Sequence, residues 1–219
     1  DNKLDVEVAS LNLKNKRILL TGGAGFIGST LVSKLYKDNE ILVYDNFSRD
    51  SLTYKNLKSK HLSIVKGDVL DSDLLARTVE DFRPQIAVHL ASIAGVDTVI
   101  KNPVKTLEII LLGTFNFLRS LKKYSGDLER VMDFSTSEVL GSYAYKSTEL
   151  SNTNFAPVGE ARWTYSIGKV AGEHLMHAFS KEHGYPSVTI RPFNIYGVGQ
   201  VGEGAIHVFI KRAIKNKTI

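Results

Sequence analysis

The stretch that most constrains this chain is KRILLTGGAGFIG at residues 16–28. Ile18, Leu19 and Leu20 form an unbroken apolar run that Gly22 stops, which reads as a short buried β-strand over residues 17–21. The glycines then open a helix. A strand that turns at once into a helix needs a tight bend, a backbone free of side chain where a ligand comes close, and intimate helix-to-strand packing. Gly22, Gly25 and Gly28 are spaced to meet those three needs. The unpaired N–H groups and positive dipole end of such a helix start are what a dinucleotide pyrophosphate binds.

The context strengthens this reading. A helical segment at residues 29–37 is followed by a second strand, residues 41–44, ending in Asp45. That carboxylate stands at roughly the twenty-residue offset expected for a group that hydrogen-bonds the adenosine ribose. It also repels a 2′-phosphate, so NAD is expected rather than NADP.

Strand and helix patterns alternate down the rest of the chain. Strands are expected at residues 62–65, 85–91, 130–135 and 187–191. Helices are expected from Asp71, as cap, through Phe82, from Pro103 to about Tyr124, and over residues 163–183 and 203–215. A short helix is also expected at residues 53–58. This order predicts an α/β fold with a doubly wound parallel sheet of Rossmann type. Ligands should gather at the carboxyl ends of the strands, where Gly22, Asp45, Asp68, Ala91 and Ser135 fall.

Composition removes several function classes. Lys and Arg exceed Asp and Glu by only five charges, and the densest basic patches lack interleaved aromatics, so no nucleic-acid partner is expected. The chain contains no cysteine, which excludes disulfides and zinc thiolates and fits a cytoplasmic protein. The six histidines form no metal pattern, and no apolar run approaches a membrane span. His174 and His177 read as surface residues and His89 as a satisfied core histidine.

Tyr165-Ser166-Ile167-Gly168-Lys169 places a phenol and an ammonium four residues apart on one helix face. A tyrosine used as a base near neutral pH needs its pKa lowered by about three units, or roughly 4 kcal/mol. One ammonium at about 4 Å supplies that order of interaction at an effective dielectric of about 20. Lys169 is therefore expected to lower Tyr165.

Taken together, TGGAGFIGS, YDNFSR, GDV, HLAS followed by VDTV, STSEVLG, YSIGK and RPFNIYG occur in an order that resembles the extended short-chain dehydrogenase/reductases, in the nucleotide-sugar epimerase, dehydratase and decarboxylase group. The resemblance implies that Gly22, Gly25, Phe26, Ile27 and Gly28 hold the pyrophosphate of NAD, Asp45 and Asn46 the ribose, and Asp68 and Val69 the adenine edge. Leu90, Ala91 and Ser92 would line the nicotinamide side, with Pro192 and Ile195 flanking it. Val69, Leu90 and Ile195 suit a plain core role equally well.

Thr136, Tyr165 and Lys169 match the family's catalytic triad, Tyr165 and Lys169 also meeting the cofactor. Val96, Thr136, Ser137 and Asn194 would contact a nucleotide sugar. Glu138 stands where dehydratases and decarboxylases place a glutamate, as a C5 base or as a brace for the loop. The VDTV segment points instead to epimerases and hexose dehydratases, so the branch stays open between an epimerase or dehydratase and a decarboxylase of UDP-glucuronate type. A non-catalytic dinucleotide-binding regulator is the alternative of another class.

The chain also departs from the pattern. Ser137 replaces an aspartate, Leu140 a tyrosine, Ile110 an asparagine and Val198 a proline. The expected organisation is an N-terminal extension at 1–15, an NAD-binding domain carrying the triad at 16–192, and the start of a truncated substrate region at 193–219. The helix from Pro103 and the helix carrying Tyr165 are apolar on two sides. The resemblance implies a homodimer through a four-helix interface there.

Overall fold

The computed structural model describes residues 13–93, 95–202, 204–216 and 218. The expected extension lies mostly outside the described residues. Six parallel strands form one sheet in the order β3-β2-β1-β4-β5-β6. They are β1 (Arg17–Thr21), β2 (Glu40–Asp45), β3 (Leu62–Lys66), β4 (Ile86–His89), β5 (Arg130–Phe134) and β6 (Ser187–Ile190). This is the doubly wound Rossmann-type sheet that the alternation predicts.

Alternating side chains of each strand bury on opposite faces. Ile18, Leu20, Ile41, Val43, Ile86 and Val88 pack with Val32 of α1 (Phe26–Leu35) on one face. Leu19, Leu42, Tyr44, Ala87 and Val131 pack on the other, against Leu75 and Val79 of α2 (Ser72–Phe82), Phe117 and Leu118 of α5 (Gly113–Leu121) and Met176 of α6 (Thr164–His183). Asp71 caps α2 as expected, its Oδ1 accepting from the Leu74 N–H at 3.0 Å.

The long helix expected from Pro103 is interrupted. A separate α3 (Val96–Lys101) precedes it, and α4 (Pro103–Leu107) joins α5 through a π-helical turn, Glu108–Leu112. Asn102, non-helical before Pro103 (φ −135°, ψ 57°), breaks the first junction. At the second, Ile110 turns inward and fills the space beside Gly168 of α6. A Cβ on that glycine would meet the Ile110 methyl carbons at 3.3 Å. The apolar residue that replaces an asparagine here therefore sets how closely α6 docks. After β6, α7 (Ala205–Ile214) buries none of its described residues.

Candidate active site

The sharp turn after β1 is built on Gly22. Its φ is +73°, and a Cβ there would lie 2.5 Å from the Ala91 backbone nitrogen, so no other residue fits. Gly28 is equally committed, because its Cβ would sit 2.5 Å from the Gly22 carbonyl oxygen. Gly25 differs. A Cβ on it would meet only that same oxygen, at 3.4 Å, an ordinary contact. Nothing among the described residues demands glycine there, and α1, which begins with Phe26 and Ile27, carries no side-chain cap and no acid in its first turn. Open backbone at an uncapped helix start fits a pyrophosphate.

Asp45 has a role that its spacing did not reveal. Its Oδ2 accepts from the Ala24 N–H at 2.9 Å and its Oδ1 from the Phe47 N–H at 2.7 Å, so the carboxylate ties the glycine loop to the end of β2. Burial raises its pKa, while the two backbone donors pull it down. Asn46 donates to Asp68 Oδ2 at 3.1 Å, and the Tyr44 hydroxyl donates to the Asp68 carbonyl at 2.8 Å. These bonds gather Asp45, Asn46 and Asp68 at the ends of β2 and β3. Val69 packs in the core, with its carbonyl held by Asn116 at 3.0 Å.

The loop after β4 supplies Leu90, Ala91 and Ser92, all partly buried, with the Leu90–Ala91 peptide lying against Gly22. Beyond β5, Thr136 is buried, and its Oγ1 accepts from the Glu138 N–H at 3.3 Å. The Ser137 N–H donates to the Pro192 carbonyl at 2.9 Å, which joins this loop to the segment after β6. The Ser166 hydroxyl donates to Glu138 Oε2 at 2.7 Å. Since Ser166 follows Tyr165, that bond sets the carboxylate against the start of α6. Nothing in the motif spacing signalled it.

The expected lowering of Tyr165 is absent. Its phenol is pushed up to about 12, first by burial and then by the Glu138 carboxylate, against a smaller opposing hydrogen bond from Ser92. Lys169 is buried, and its Nζ donates to the Phe134 carbonyl at 2.7 Å. In this arrangement it grips the end of β5 and is not among the groups that set the phenol.

Val96, Asn194 and Ile195 lie exposed at the same edge of the sheet, Val96 at the start of α3 and the other two beyond β6. No group of three candidate metal ligands occurs among the described residues, and His174 and His177 are exposed. His89 is the satisfied core residue expected. Its two ring nitrogens lie 2.7 Å from Thr21 Oγ1 and 3.2 Å from Thr114 Oγ1, and its ring stacks on Phe117.

Residues 18–219 match the family described as the NAD dependent epimerase/dehydratase family. The chain belongs to that family. A dTDP-D-glucose 4,6-dehydratase of Dictyostelium discoideum is 34% identical over 215 residues, which cover 92% of this chain and 49% of that protein. UDP-glucuronic acid decarboxylase 6 of Arabidopsis thaliana is 34% identical over 213 residues, covering 94% of this chain and 59% of its own length. Among solved structures, the UDP-glucuronic acid 4-epimerase of Bacillus cereus, in complex with UDP-glucuronic acid and NAD, superposes with a TM-score of 0.80 at 28% identity, over 91% of this chain and 63% of that one. The chain thus spans between about half and two-thirds of these family members. No described helix is long and apolar enough to cross a membrane.

Proposed function

We propose that the protein of which this chain is part modifies a nucleotide-diphosphate sugar by transient oxidation at C4, with NAD as cofactor. The observation that carries the reading is the shared edge of the sheet. There the open Gly25 backbone faces the start of α1, and the Glu138–Ser166 bond draws the Thr136 loop onto the turn of α6 that carries Tyr165.

Gly22, Gly25, Phe26, Ile27 and Gly28 would hold the NAD pyrophosphate, Asp45 and Asn46 the ribose, and Asp68 and Val69 the adenine edge. Leu90, Ala91, Ser92, Pro192 and Ile195 would surround the nicotinamide. When bound, NAD supplies a hydride acceptor at C4 of the sugar.

Tyr165 takes the C4 hydroxyl proton, and Thr136 orients that hydroxyl. Lys169 holds the resulting phenolate. Because burial and Glu138 hold the phenol high, the site must supply positive charge beside Tyr165 before it can act as a base near neutral pH. Val96, Ser137 and Asn194 would meet the nucleotide sugar.

The 4-keto product then has three fates: hydride return to the other face, loss of water through a base at C5, or loss of carbon dioxide from a C6 carboxylate. Of these, loss of water is the fate that needs a base at C5, which Glu138, held by Ser166, is proposed to supply. Loss of carbon dioxide needs none, because the enolate it leaves takes a proton at C5, so a UDP-glucuronate-type decarboxylase remains the alternative to an epimerase/dehydratase. The working protein is proposed to be a cytoplasmic homodimer. Val104, Leu112, Phe115 and Ile167 leave apolar surface exposed on α4, α6 and the helix path between them, where a second copy would pack.

The test is anaerobic incubation of the full-length protein with NAD and a panel of UDP, dTDP and GDP sugars, followed by mass and NMR analysis. Inversion at C4, loss of water or loss of carbon dioxide supports C4 oxidation and names the branch. Binding of NAD with every sugar unchanged would instead mark a non-catalytic dinucleotide-binding regulator.

A further inference from the structure

A rung of polar side chains crosses the sheet on the face covered by α5 and α6, where the rungs beneath it are apolar. Backbone register sets Thr21 beside His89 and His89 beside Asp133. Thr21 and His89 bond to each other, and His89 also reaches Thr114. Asp133 is different. It is only 2% exposed, and its Oδ1 has no hydrogen-bond partner among the described residues. A buried carboxylate oxygen without a donor carries a desolvation cost that strands ordinarily avoid.

Its surroundings explain why it stays. Lys169 is 4% exposed and reaches the carbonyl of Phe134, the residue after Asp133. That bond engages one of the three N–H donors of the ammonium. One turn further along α6, Glu173 is clamped by Arg191 through contacts of 2.7, 3.0 and 3.2 Å.

The cluster thus holds two cations, Lys169 and Arg191, and two carboxylates, Glu173 and Asp133. With Glu173 engaged with Arg191, Asp133 is the carboxylate of the cluster without a salt bridge among the described residues, and it acts on Lys169 more strongly than Glu173 does. Each acts on the other: Lys169 pulls Asp133 down against burial, and Asp133 pulls Lys169 up against burial. Among the other titratable groups, Glu173 also pulls Lys169 up, by less than Asp133 does. His89 on β4 is kept neutral by burial, at about 3, and Glu138 acts on Tyr165 from the loop beyond β5.

We propose that Asp133 is a positioning residue for Lys169, a buried counter-charge that keeps this ammonium ionised and directed at the end of β5. Its catalytic meaning rests on the role given to Lys169 above, whereas the charge pairing stands without it. A buried lysine stripped of its anion favours the neutral amine, which cannot hold a phenolate.

Thermal melts of the full-length protein without ligand test the pairing, using wild type, Asp133→Asn, Lys169→Met and the double variant. At about pH 7, Asp133→Asn should lower the Tm by on the order of 10 °C, because it strands a buried charge. At about pH 9.5 the deficit should shrink, because folded Asp133→Asn already holds Lys169 as the neutral amine, whereas the wild type begins to lose its ammonium proton only as pH rises. The double variant, with no charge left to strand, should melt above Asp133→Asn at the lower pH.

No loss in Asp133→Asn overturns the proposal. So does a loss equal at both pH values that Lys169→Met does not relieve, or an Asp133→Asn protein that fails to fold and is not rescued in the double variant. Failure of the wild type to convert any nucleotide sugar would overturn the functional reading and leave the melts to decide Asp133.

Discussion

Ser166 donates its hydroxyl to Glu138 Oε2 at 2.7 Å, so the residue after the proposed base fixes the one carboxylate that acts on that base from the loop beyond Thr136. Glu138 raises the Tyr165 phenol, and removing its charge should lower it. In Glu138→Gln the acid limb of the pH profile for C4 oxidation is expected to move to lower pH. If Glu138 is also the C5 base, conversion beyond the 4-keto sugar falls by about 10²-fold or more. Ser166→Ala should shift the limb in the same direction by less, because the freed carboxylate remains nearby. An unmoved limb in Glu138→Gln contradicts this coupling.

The three glycines of the first loop should separate in their effects. Gly22→Ala and Gly28→Ala force a Cβ to about 2.5 Å from backbone atoms and should each cost on the order of 1–3 kcal/mol of stability. Gly25→Ala meets only one atom at 3.4 Å and should leave the Tm nearly unchanged. It should still weaken NAD binding by about tenfold or more, a loss of about 1.4 kcal/mol. Calorimetric titration beside thermal melts reads both quantities, and an unaltered NAD affinity in Gly25→Ala would remove the pyrophosphate from this loop.

Asp45→Asn should loosen the same loop. An amide offers one acceptor oxygen where the carboxylate uses two, so either the Ala24 or the Phe47 N–H loses its partner, at about 1–3 kcal/mol. Hydrogen exchange at Ala24 and Phe47 should rise at one of the two. Protection unchanged at both would contradict the bracing role.

His89 gives a pH dependence with a defined sign. Burial lowers its pKa from 6.5 to about 3, so between those values the unfolded chain binds the proton and the folded one does not. Its contribution to stability is therefore complete above about 6.5 and declines as pH falls toward 3, with a slope of up to about 1.4 kcal/mol per pH unit. Melts of wild type and His89→Gln across this window should show a flatter curve for the variant. Parallel curves would mean that His89 is not the group responsible.

Much of this arrangement was legible in the sequence because it follows from periodicity and backbone demands. The apolar run before Gly22, the cap at Asp71 and the alternation of elements are local signals, and each led to the observed strand or helix. What escaped depends on approach between distant segments. The π turn at Ile110 answers to Gly168 on another helix, and the partners of Asp45 lie across a loop. Asp133 reads as one polar residue in an apolar strand until α6 brings Lys169 to the carbonyl of the next residue, Phe134. The expected lowering of Tyr165 by Lys169 was wrong for the same reason: four-residue spacing places both on one helix face, but the Phe134 carbonyl, from a different strand, takes the ammonium.

The central claim is that Tyr165 removes the C4 hydroxyl proton. Its most direct test is the rate of cofactor reduction after rapid mixing of the NAD-loaded full-length protein with a nucleotide sugar that it converts, for wild type and Tyr165→Phe. The account predicts a fall of about 10²–10⁴-fold in that rate, with NAD affinity nearly unchanged. Equal rates in the two proteins would contradict it.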